Sequence, residues 1–164
     1  MVRTLAFGLL LAVSCSSSSS TNSPSDGGAE GGAGTQLTVS KTVPASTCDG
    51  PITVQSVKAE DAGATIGPAL TRVTVRGTTA GTPQEVLVYF ETATGKVTSV
   101  THTCAMNTAF CETNPSLDPQ GVLGKACAGV THDASNKKIS LVGTGLVGTS
   151  LVACSSTLDG SIAY

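Results

Sequence analysis

Tryptophan is absent, and three phenylalanines and two tyrosines are the only rings of the Phe, Trp and Tyr type in a chain of 164 residues. So few aromatics leave little from which to build a stacking platform for bases or sugars. Charge is scarce as well. Asp, Glu, Lys and Arg together make 12% of the chain, about half the usual share in a soluble protein. The formal net charge is −2, so there is no basic surface of the kind that binds nucleic acid by displacing counterions. Nucleic acid is not an expected partner. Stretches rich in Glu, Lys, Arg, Ala and Leu are also lacking, which argues against a coiled coil or a long-helix bundle. No window of helical length carries an apolar stripe, and residues 105–110 offer at most one helical turn.

What is present begins with an address. Arg3 supplies a positive start, and residues 5–13 form an uncharged apolar run. Nine residues of helix cover about 14 Å, half a bilayer core, so the run is too short to span a membrane. Residues 1–14 read as a signal peptide and leave the fold argument. Leu11-Ala12-Val13-Ser14-Cys15 then resembles the lipobox of bacterial lipoproteins. The resemblance implies that the peptide is cut before Cys15 and that its thiol carries lipid, so the bilayer is a partner. Ser16, in place of Asp after the cysteine, implies by the enteric sorting rule an outer-membrane destination. An unbroken serine run, residues 16–20, and a Gly-rich stretch to Gly34 follow. Nothing there buries apolar area, so residues 15–35 are expected to be a disordered tether, with an r.m.s. reach of about 25 Å.

The folded part is expected over residues 36–164. Apolar residues alternate with Thr and Ser at period two in residues 37–39, 52–57, 70–75, 85–90, 96–101, 128–131, 138–142, 150–153 and 161–164. Alternation with many β-branched residues is the strand signature. Turn-forming residues fall between the runs, at 49–51, 77–83, 94–95 and 133–136. Residues 86–90 are apolar on both faces, as in a strand flanked on both sides. The fold class is therefore all-β: an antiparallel β-sandwich or a small barrel, with disulfides.

Export places the remaining cysteines, Cys48, Cys104, Cys111, Cys127 and Cys154, in an oxidising compartment, where disulfides are the default. Connectivity is open at this level. The favoured pairing joins Cys104 to Cys111 across a short turn-like segment and Cys48 to Cys154 across the domain, leaving Cys127 over. A metal site is the alternative. His102, Cys104 and Met106 alternate, so a strand would project all three from one face, and they are soft donors suited to copper(I). The spacing matches no zinc or blue-copper pattern, and no metal or cofactor is expected.

Gly143-Thr144-Gly145-Leu146-Val147-Gly148 completes a G-x-G-x-x-G directly after a strand-like run, with Asp159 sixteen residues past Gly143. It resembles the first turn of lactate and malate dehydrogenases, where the glycines admit pyrophosphate. The context excludes that reading, because only sixteen residues follow Gly148 and the site needs further βαβ units. Two strands joined or bent at glycines are expected instead. No G-x-S-x-G, H-E-x-x-H, Walker or EF-hand pattern occurs, and Glu60 beside Asp61 reads as part of a solvated loop. The expected function is a lipid-anchored envelope lipoprotein with a non-enzymatic binding or structural domain, acting on a protein or small-molecule partner. A metal-binding or thiol-active envelope protein is the alternative.

Overall fold

The structure is a computed structural model describing residues 34–43, 47–63, 67–105, 107–112, 126–148 and 155–164. Its strands are β1 (Gln36–Val43), β2 (Gly50–Gly63), β3 (Leu70–Thr79), β4 (Thr82–Glu91), β5 (Val97–Cys104), β6 (Asn107–Glu112), β7 (Val130–Asp133), β8 (Lys138–Val147) and β9 (Ser155–Ala163). All pair antiparallel, in the order β6–β5–β4–β3–β2–β1–β9–β8–β7. The sheet closes where Phe110 of β6 meets Val147 of β8. β7 lies along the other half of that same β8 edge, with Val130 opposite Leu141 and Asp133 opposite Lys138. Eight strands thus make a closed barrel wall and β7 is an added flap. Of the two all-β architectures expected, the barrel is the one formed.

Period-two alternation explains the wall. Along β4, Gln84, Val86, Val88 and Phe90 are buried while the residues between them are half-buried, and β4 is paired along both edges. β5 continues the inner face with Val100, His102 and Cys104, and β8 with Ile139 and Leu141. Tight turns connect neighbours. Thr79 pairs with Thr82, so Ala80 (φ 48°) and Gly81 (φ 83°) form a two-residue loop with positive φ throughout, the geometry that matches strand twist.

The barrel has two rims. The terminal rim gathers the start of β1, the end of β9 and the β4–β5 turn. The far rim gathers the end of β1, the β3–β4 turn and the β5–β6 turn. A side-chain hydrogen bond from Thr35 to the Ala163 carbonyl, returned by the Ala163 N–H to Thr35 Oγ1, ties the two ends of the domain at the terminal rim.

Three expectations need correction. The described residues of 105–110 hold no helical turn: Cys104 pairs with Asn107, Ala105 turns at φ 53°, and β6 follows with Ala109 and Cys111 inward. That two-residue alternation, short and next to an unforeseen turn, was hidden by Ala and Asn. Cys104 and Cys111 do not pair either. Cys111 lies opposite Val100, four residues along β5 from Cys104, a separation of about 13 Å that no disulfide spans. The bridges are Cys48–Cys104, with Cα atoms 6.0 Å apart, and Cys111–Cys127, at 4.9 Å. Cys127 is therefore not left over, and Cys48 is not available to Cys154. The β-run expected at 150–153, Cys154 itself, Cys15 and Met106 lie outside the described residues.

Candidate functional site

Each rim carries one histidine. At the far rim β5 turns His102 inward, where it is 2% exposed. Its tautomer follows from its neighbours. The Gln84 side-chain N–H donates to the Cys48 carbonyl at 3.0 Å, which leaves Gln84 Oε1 as an acceptor. His102 Nε2–H donates to that oxygen at 2.8 Å, so Nδ1 is the acceptor and takes the Ser156 hydroxyl at 3.1 Å. Burial lowers the His102 pKa from 6.5 to about 4, against a smaller opposing pull from the Asp49 carboxylate. The imidazole is neutral at physiological pH.

Ser156–His102–Gln84 is thus a hydroxyl–imidazole–amide chain, assembled from β9, β5 and β4. Its hydroxyl belongs to a residue only 3% exposed, and the cavity beside it measures about 10 Å³. That is at most the room of one water. Both ring nitrogens of His102 and both polar atoms of the Gln84 amide are thereby hydrogen-bonded.

The terminal rim is more open. There Phe90, His132 and Tyr164 cluster, with the Phe90 and His132 rings 4.1 Å apart and Tyr164 about 6 Å from each. His132 Nδ1–H donates to the Gly95 carbonyl at 2.9 Å, leaving Nε2 to accept the Tyr164 O–H at 2.6 Å. Partial burial raises the Tyr164 pKa, so the phenol stays a donor. Beside this cluster Lys96, Val97, Cys127, Val130 and Thr131 line a groove of about 340 Å³. A second groove of about 430 Å³ runs along the outer wall, bounded by Gln55, Thr103 and the Arg76–Glu85 ion pair.

The donors singled out in the sequence are engaged elsewhere. His102 and Cys104 do share the inward face of β5, but Cys104 is bonded to Cys48 and both nitrogens of His102 are hydrogen-bonded. Among the described residues no group of three or more His, Cys, Asp and Glu is placed to hold a metal. The glycine fingerprint lies within and just after β8. Its register slips between Leu141 and Thr144, Gly143 adopts φ 56°, and its N–H donates to Asp159 Oδ1 at 2.6 Å. The carboxylate that the dehydrogenase resemblance assigns to a ribose here caps a β-bulge.

Sequence reasoning missed the terminal-rim cluster. His132 and Tyr164 are 32 residues apart, and only the β7–β8–β9 pairing brings them together. No family model, no curated protein and no solved structure matches this chain.

Proposed function

We propose that the chain is a bacterial envelope lipoprotein, anchored in the outer membrane through acylated Cys15, whose barrel is a non-enzymatic binding or structural domain. The observation that carries the domain's role is its filled interior. Val73, Val86, Val88, Val100, Ile139, Leu158 and Ile162 are all 0% exposed. Eight-stranded barrels either fill with side chains or hold one small ligand, and this one is filled. Recognition is then left to the rims and outer wall. The terminal-rim groove, with its Lys96 ammonium and apolar floor, has the volume of a small-molecule site. The anchor rests on the apolar run, the small residues before Cys15 and the serine-rich stretch after it.

Two measurements test this reading. Cells fed labelled palmitate are expected to incorporate it into the wild-type chain but not into Cys15→Ala, which is expected to be released or to persist as an uncut precursor. Label that survives the substitution overturns the anchor. For the domain, capture from detergent-solubilised envelope is expected to retain a partner that Lys96→Glu loses. Retention unaffected by changes in both grooves and at both rims overturns the assignment of recognition to those surfaces.

A further inference from the structure

β2 is the longest strand, fourteen residues, and it is paired unequally. β3 follows it from Thr53 to Gly63. β1 pairs only with Gly50, Pro51 and Ile52 and then continues along β9. Beyond Ile52 the second edge of β2 has no strand beside it among the described residues. Such an edge is a template for another strand unless it is short, broken by proline or bulged. Between the register shifts at Val54/Ser56 and Asp61/Gly63, residues 56–61 form a regular run without proline.

We infer that this edge pairs antiparallel with the same edge of a second copy, about a two-fold axis at Ala59 that sets Lys58 opposite Glu60 of the partner subunit. The register follows from symmetry and charge. A two-fold axis normal to the sheet leaves each residue on its own face, so the axis must pass beside a residue paired with its own copy. Centring on Lys58 opposes two ammonium groups, and centring on Glu60 opposes two carboxylates; both are unfavourable across a strand pair. Centring on Ala59 opposes Lys58 to a carboxylate twice over. Within one protomer Lys58 already lies 3.0 Å from Glu60, and Arg72 pairs with Glu60 on the neighbouring strand. The two-fold joins two such rows into one alternating network. Lys58 remains 66% exposed, free to reach across.

The test uses the full chain in detergent, with micelles in excess of protein and Cys154→Ser as background. Sedimentation is expected to show a reversible dimer, and Ala59→Cys is expected to cross-link under mild oxidation far faster than a cysteine at Thr82. Lys58→Glu and Glu60→Lys, each checked for an intact β spectrum by circular dichroism, are expected to weaken self-association about tenfold or more. An equimolar mixture of the two is expected to restore it, because positions 58 and 60 then oppose residues of opposite sign. A wild-type chain that stays monomeric at all attainable concentrations overturns the inference. So does a dimer that is indifferent to Lys58→Glu, or a mixture of the folded reversals that does not associate.

Discussion

The two rims hold the same inventory, one histidine and one disulfide, under different conditions. At the far rim His102 is sealed among Gln84, Ser156 and the buried sulfurs of Cys48 and Cys104. At the terminal rim His132 is half-buried, leans on two aromatic rings and borders an open groove that also exposes part of Cys127. Both imidazoles have two hydrogen-bond partners, yet only the first is deprived of solvent. Burial, more than the number of partners, therefore separates a histidine that stabilises a layer from one that borders a usable surface.

The sharpest way to test this contrast is to cut the bridges one at a time. In the chain-entropy model the 56-residue separation of Cys48–Cys104 corresponds to about 4 kcal/mol, and the 16-residue separation of Cys111–Cys127 to about 3 kcal/mol. Paired alanine substitutions followed by denaturant titration are expected to reproduce that order. Under native conditions reductant is expected to open Cys111–Cys127 first, at the half-buried Cys127 sulfur, since Cys48, Cys104 and Cys111 are all sealed from solvent. Reduction in the reverse order would mean that the far rim opens more readily than its packing implies.

Acid discriminates the rims next. The unfolded chain takes up a proton at His102 near pH 6.5, whereas the folded chain resists until about 4. Between these values the unfolded state binds more protons, so stability falls as pH falls. The full contribution is present above pH 6.5, and about 3 kcal/mol is lost by pH 4. Subtracting the profile of His102→Gln isolates this slope from that of the carboxylates. A difference profile that is flat across the window would break the assignment.

Smaller effects refine the comparison. Tyr164→Phe keeps the ring stack but removes the hydroxyl that His132 accepts, and is expected to cost about 1 kcal/mol by thermal unfolding. Between the rims, Thr144 is 0% exposed, and its hydroxyl has no partner among the described residues. Thr144→Val, of equal shape, is expected to raise stability by up to about 1 kcal/mol, the one gain in the series.

How far the sequence carried the description can be judged from particular residues. β3, β4 and β5 were legible because their runs of β-branched and apolar residues, bounded by turn-forming residues, carry the strand signature. The glycines of the nucleotide fingerprint instead bend β8, where Gly143 forms a bulge whose N–H is taken by Asp159. β6 was not legible, since Ala109 and Cys111 are its only fully buried residues and neither signals a strand. The early part of β9 was missed for a related reason: Ser156 is buried through a hydrogen bond to His102, a partner 54 residues away.

Composition and local pattern by themselves determined that this domain is all-β, antiparallel and disulfide-containing. Those properties rest on side-chain spacing and on the choice of turn residues, which neighbouring positions specify. Closure into a barrel, the pairing of Cys48 with Cys104, and the gathering of Phe90, His132 and Tyr164 were decided only by tertiary structure. They depend on which strand lies beside which and in what register. The free energy that selects a register is summed over a whole buried face, so no single segment contains it.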